Sequence, residues 1–154
     1  MMSVITIDSN VLLSLFANDS LCNRAVSLLS KYKDHEYIIN NIIYIELGLH
    51  FEEISLLDKH LLSLEISTVS RERMNFTRIV NAWKTYLKKK VFTCPNCGNI
   101  TGFLCPVCKS QISYRQRILA DFLIADFALE HSDGIITFDP NYYRNYFPEI
   151  RLFE

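Results

Sequence analysis

Short β-branched runs alternate with helical patterns along the whole chain, and that alternation predicts an α/β domain with a parallel central sheet and helices on both faces. Two further observations agree. The chain has 154 residues, 49% of them hydrophobic. That suits one domain burying roughly two thirds of its unfolded surface. Acids also stand directly after apolar strand-like runs: Asp8 follows V-I-T-I and Asp139 follows I-I-T-F. In open parallel sheets, ligands collect beyond the carboxyl ends of the strands, so these two acids are expected to approach one another across 131 residues of sequence.

Residues 3–7 alternate and are β-branched, which predicts the first strand. Asp8-Ser9-Asn10 supplies cap residues for a helix to residue 16. Leu21, Ala25, Leu28 and Leu29 recur at helical spacing, giving a helix over 20–32. Residues 37–39 form a short strand. Asn40-Asn41 then caps a helix expected to turn Ile42, Ile45 and Leu49 inward, with Ile43 and Leu47 as further candidates. A helix over 53–62 and a strand over 64–69 follow. A long helix over 70–90 carries Phe76, Ile79, Val80, Trp83 and Leu87 on one stripe. Its last turn holds Lys88, Lys89 and Lys90, which complement the helix dipole. Beyond the segment 91–113 come a helix from 114 or 115 to 130, a strand over 134–137, a turn and short helix over 140–147, and a last strand over 150–153.

Composition excludes several classes. The net charge is −1, so no global basic field draws in nucleic acid. No apolar run approaches a membrane span, and the N-terminus shows no signal-peptide pattern. Five cysteines, four in C-x-x-C pairs, fit a reducing cytoplasm better than a disulfide framework. The histidines are scattered, and the nucleophile-elbow, Walker A and dinucleotide-binding motifs are missing. Local charge is uneven. Lys84, Lys88, Lys89, Lys90, Lys109, Arg115 and Arg117 occur with no Asp or Glu between them. That run is either a patch for phosphate contact or an ordinary solvated helix end and loop.

Four acids stand at the edges of core elements: Asp8, Glu46 within I-I-Y-I-E-L, Asp121 opening an apolar helix, and Asp139. Carboxylates beside a core cost free energy unless something pairs with them, and none has an obvious basic neighbour in sequence. Together they suit a hard divalent ion such as Mg²⁺ or Mn²⁺ and phosphodiester hydrolysis. Each also has a plain structural alternative: a helix cap, a dipole partner, a turn residue or a surface acid. Asp126 lies five residues after Asp121, about 140° round a helix, so the two should not face the same ion. Asp126 is assigned a supporting place behind or at the rim of the site.

The strings D-F-L-I-A-D-F-A-L from Asp121, I-I-T-F-D ending at Asp139, and Y-R-N-Y-F-P-E-I-R-L from Tyr143 resemble the PIN-domain nucleases, VapC-type toxins in particular. I-D-S-N-V-L-L, with Asp8 and Asn10, and I-Y-I-E-L, with Glu46, are similar to that family's first two motifs. The resemblance implies a three-layer fold round a parallel sheet and Mg²⁺- or Mn²⁺-dependent endoribonuclease activity. It places Asp8, Glu46, Asp121 and Asp139 as metal-binding acids, Asn10 at a small polar position and Thr137 as a supporting hydroxyl. The family is usually small and apolar where this chain has Asp126. VapC-type toxins commonly pair with an antitoxin and often dimerise.

Cys94-Pro-Asn-Cys97 and Cys105-Pro-Val-Cys108 form C-x₂-C-x₇-C-x₂-C, the spacing of two knuckles round one tetrahedral Zn²⁺. Four thiolates leave no open position, so this zinc is expected to be structural. The module, 91–113, is too small to bury its own core and should fold on the metal. It is an insertion in a single domain spanning 1–154, where the VapC-like pattern has a short loop. It serves as a clip for an extended hairpin, as a protein-binding surface, or as an RNA contact through the flanking Lys88, Lys89, Lys90, Lys109, Arg115 and Arg117. The function expected is a metal-dependent endoribonuclease with an RNA substrate, plausibly the toxin of a toxin–antitoxin pair. The alternatives are an RNA-processing nuclease acting in rRNA maturation and a non-catalytic zinc-stabilised binding module.

Overall fold

Four parallel strands order the molecule in the computed structural model, which describes residues 3–70 and 119–154 and, between them, 78, 79, 82, 85, 86, 92, 93, 100, 101 and 107–109. The strands are β1 (Val4–Ile7), β2 (Glu36–Asn40), β3 (Ile66–Val69) and β6 (Ile135–Ile136), in the spatial order β3-β2-β1-β6. Register is set by pairs such as Ile5 with Tyr37, Ile38 with Ser67, and Thr6 with Ile135. The helices are α1 (Ser9–Ala17), α2 (Cys22–Lys31), α3 (Asn41–Gly48), α4 (Ile54–Ser63), α5 (Leu119–His131) and α6 (Pro140–Tyr146). Arg78, Ile79, Ala82, Thr85 and Tyr86 are also helical, and Ile79 and Ala82 are buried. The expected parallel sheet flanked by helices is therefore present.

Strand burial explains the sequence pattern. A sheet covered on both faces needs near-continuous apolar strands, and Ile5, Ile7, Ile39, Ile135 and Ile136 are completely buried. The last expected strand is reduced to one bridge, Leu152 beside Ile135. Gly134, at φ +155°, lets the chain enter β6 there: a Cβ on it would lie 2.2 Å from the Arg151 carbonyl oxygen. The order of strands matters most for function. The chain runs outward from β1 through β2 to β3, then returns to place β6 on the other side of β1. The carboxyl ends of β1 and β6 thus form the switch point where such sheets open a crevice.

One expectation about α3 is corrected. Ile43 and Leu47 face the core, whereas Ile45 is 59% and Leu49 79% exposed. The helix is apolar on almost every side, so periodicity could not choose its inner face. The cap chose it: Asn40 Oδ1 accepts the Ile43 N–H at 2.9 Å, which fixes where the helix begins. A second, separate pair of strands, β4 (Phe92–Thr93) and β5 (Ile100–Thr101), is antiparallel and lies on either side of residues 94–99.

Candidate active site

β1 delivers Asp8 to the switch point. Its N–H donates to the Ile136 carbonyl at 2.9 Å, bridging the ends of β1 and β6. Asp8 occupies the N-cap position of α1, yet its side chain makes no capping hydrogen bond. The carboxylate instead turns into the protein, leaving the residue 5% exposed. Its Oδ2 accepts from Thr137 Oγ1 at 2.7 Å, Asn10 Nδ2 at 3.0 Å and Tyr143 Oη at 3.1 Å. Thr137 Oγ1 also accepts from the Asp139 N–H at 3.0 Å and Asn10 Nδ2 at 3.2 Å, so its own proton is directed at Asp8. Asn10 Oδ1 accepts the Phe138 N–H at 3.1 Å. These contacts tie the first turn of α1 to the loop after β6.

Glu46 arrives from α3, Asp121 from the first turn of α5, and Asp139 from the start of α6, where its Oδ1 accepts the Tyr142 N–H at 3.3 Å. With Asp8, Ser9, Asn10, Tyr142 and Tyr143 they line one cavity of about 140 Å³. Among the described residues, the charges that act on these acids are those of other acids. Burial pushes the Asp8 carboxyl up, against the hydrogen bonds from Thr137 and Tyr143, and the charge of Glu46 adds to the rise. Asp121 is pushed up to about 7, first by burial and then by Asp8, Glu46 and Asp139. The Tyr143 hydroxyl is raised well above its ordinary range, mainly by burial and then by Asp8, and so remains a proton donor.

Such a pocket suits a hard cation. All the charged donors are oxygens, and all the charges that raise Asp121 are other acids. Among the described residues, no three Asp, Glu, His or Cys side chains form a ready-made chelate.

The structure thus brings together Asp8, Asn10, Glu46, Asp121, Thr137 and Asp139. It does not bring Asp126. That carboxylate is completely buried on α5 and pairs with Arg78 Nη1 at 2.9 Å, while Arg78 Nη2 reaches Glu130 at 3.0 Å. The helical rotation that separates it from Asp121 carries it to the neighbouring helix rather than to the rim of the cavity. Lys88, Lys89, Lys90, Arg115, Arg117, Cys94, Cys97 and Cys105 lie outside the described residues. Cys108 and Lys109 are exposed at a turn. Three wall residues escaped sequence reasoning as parts of the site: Ser9, read there only as a helix cap, and Tyr142 and Tyr143. The one signal of the two tyrosines was position, shortly after Asp139-Pro140, where a new helix must start beside the acid.

A larger cavity of about 480 Å³ adjoins the site and shares Asn10 with it. Its walls are Leu13, Phe16, Ala17 and Phe51 with Ser14, Asp19 and His50. The smaller cavity is the one that gathers the four carboxylates.

Residues 5–148 match the sequence model of the PIN domain. No curated protein matches the chain. Among solved structures, VapBC2 from Rickettsia felis bound to a DNA fragment from their promoter is similar, with a TM-score of 0.58 at 14% identity over 97% of this chain and 96% of that one. At that identity the likeness is one of fold. The family match spans nearly the whole chain, including every residue that lines the acidic cavity, and the chain belongs to the PIN-domain family.

Proposed function

We propose that this protein is a metal-dependent endoribonuclease. The observation that carries the reading is the convergence of Asp8, Glu46, Asp121 and Asp139 on one cavity at the β1–β6 switch point. PIN domains are generally metal-dependent nucleases, and this chain retains acids from four separate segments at that place. Asp8 and Asp121, the more enclosed pair, would hold Mg²⁺ or Mn²⁺, with Glu46 and Asp139 at the rim. The ion would neutralise charge on the scissile phosphate. The protein's own groups hold the geometry: Thr137, Asn10 and Tyr143 fix Asp8, while the Asp139 carboxylate anchors the first turn of α6. Glu46 and Asp139 would act directly or through water, and one of them would orient the attacking water. Asp8→Asn should abolish Mg²⁺- or Mn²⁺-dependent cleavage of a mixed RNA pool while leaving the fold intact. A wild type that binds RNA tightly and never cuts would mark it as a binding module.

The biological reading is the toxin of a toxin–antitoxin pair. Its support is the VapC-like C-terminal motif, the similarity to VapBC2, and an apolar outer surface. Ile45, Leu49, Ile54, Leu56 and Leu62 are exposed on α3, α4 and the turn between them, as a partner protein or a second copy would require. A small antitoxin encoded beside this gene is the expected genetic setting. Zn²⁺ held by Cys94, Cys97, Cys105 and Cys108 is the proposed clip of the insertion, supported by the antiparallel pair flanking residues 94–99. Elemental analysis should return about one zinc per chain.

A further inference from the structure

All three side-chain donors on Asp8 meet the same oxygen. Thr137, Asn10 and Tyr143 each donate to Oδ2, and none of them to Oδ1. A carboxylate oxygen has about two lone-pair sites, so three donors fill its capacity and surround it with the positive ends of O–H and N–H dipoles. A cation approaching that oxygen meets those dipoles first. The Ser9 N–H adds a backbone hydrogen bond to the carboxylate. Oδ1 is the oxygen without a side-chain donor, and so the one Asp8 offers an ion. Tyr143 is the most constrained of the three donors. Its residue is 1% exposed, and its ring sits edge-on to Tyr142 at 5.2 Å, so the hydroxyl has little freedom to turn away.

We infer that Tyr143 is a positioning residue which, with Thr137 and Asn10, restricts Asp8 to one-oxygen ligation and so biases the cavity toward small octahedral ions over calcium. The inference rests on the metal-binding reading above. Its chemistry follows from ion size. Ca²⁺ takes six to eight oxygens and readily uses both oxygens of a carboxylate, whereas Mg²⁺ demands near-octahedral geometry with one or two carboxylates and several waters. An Asp8 that can present only one oxygen satisfies the second pattern and denies Ca²⁺ a bidentate contact. Removing a donor from Oδ2 frees a lone pair and relaxes that discrimination.

The test is titration of the full chain, without RNA, with Mn²⁺ and separately with Ca²⁺, read by calorimetry and for Mn²⁺ also by electron paramagnetic resonance. Tyr143→Phe keeps the buried ring and removes only the hydroxyl. Its Mn²⁺ affinity should fall by about tenfold, the usual cost of losing an outer hydrogen-bond partner, while Ca²⁺ affinity holds or rises. The preference for Mn²⁺ over Ca²⁺ should thus shrink by about tenfold. Thr137→Val acts on the same oxygen from another element and should shift the preference in the same direction, so the test stands even if one variant fails to fold. Equal weakening of both ions in both variants, or no change in either, would overturn the inference and leave the metal site itself untouched. A wild type that binds neither ion would instead overturn the metal reading, and this inference with it.

Discussion

Two aspartates are buried in this molecule, and their surroundings differ in kind. Asp126 meets a guanidinium, Arg78, at 2.9 Å. Asp8 meets two hydroxyls, a side-chain amide and the Ser9 N–H, all uncharged, and the charge of another acid, Glu46, acts on it. Among the described residues, a cation meets Asp126 and none meets Asp8. A buried charge that is hydrogen-bonded yet not neutralised is destabilised by its own desolvation. Such a site persists where function requires it. The kind of partner, more than the depth of burial, separates Asp126 from the acid proposed to serve the site.

The contrast makes opposite predictions for the two residues. The largest effect is expected at Asp8. Asp8→Asn should slow cleavage by more than about 100-fold, beyond the cost of losing an outer hydrogen-bond partner, while the metal-free melting temperature stays level or rises. A sharp drop in melting temperature would show Asp8 to be structural. The next effect is at Arg78. Arg78→Ala removes this guanidinium from the Asp126 carboxylate and should destabilise the fold by about 3 kcal/mol, at the low end for a broken buried pair because Arg78 is partly exposed. Denaturant titration measures this, and cleavage per folded molecule should not change.

The third prediction concerns pH. Asp8 and Asp121 both titrate above the ordinary 3.8 in the ion-free fold, Asp121 near 7. A raised folded-state pKa gives stability that is complete below the unfolded value and lost as pH rises through the folded one. In chelator, melting temperature should therefore decline between about pH 4 and 7, and Asp121→Asn should flatten that decline. Stabilisation by Mg²⁺ should be greater at pH 8 than at pH 6. A decline that persists unchanged in Asp121→Asn would assign it to other groups. The smallest effect is on the outer face of α3. Replacing both Ile45 and Leu49 with Lys should alter stability by no more than about 0.5 kcal/mol, because both are exposed already. A larger loss in a denaturant melt would mean that this face packs against the chain itself.

Much of this was legible in the sequence, for a local reason. The strands and the acids at their ends are written in runs of a few residues, so V-I-T-I-D and I-I-T-F-D announce both the sheet and the two carboxylates. What escaped depends on distant partners or on phase. Arg78 lies 48 residues from Asp126, and nothing near either residue marks the pair. Tyr143 reaches Asp8 across 135 residues, and only the folded switch point brings them together. The inner face of α3 was illegible because Ile42, Ile43, Ile45, Leu47 and Leu49 ring the helix, leaving the Asn40 cap to fix the phase. The outward residues Ile45 and Leu49 obscured the core pattern, and they belong to the face the proposed partner would cover.

Calorimetric titration of Mn²⁺ into wild type, Asp8→Asn and Asp126→Asn, each first shown to be folded, compares the two buried acids most directly. The account predicts that Asp126→Asn binds Mn²⁺ as wild type does and that Asp8→Asn loses the site. Undiminished binding by Asp8→Asn would contradict it.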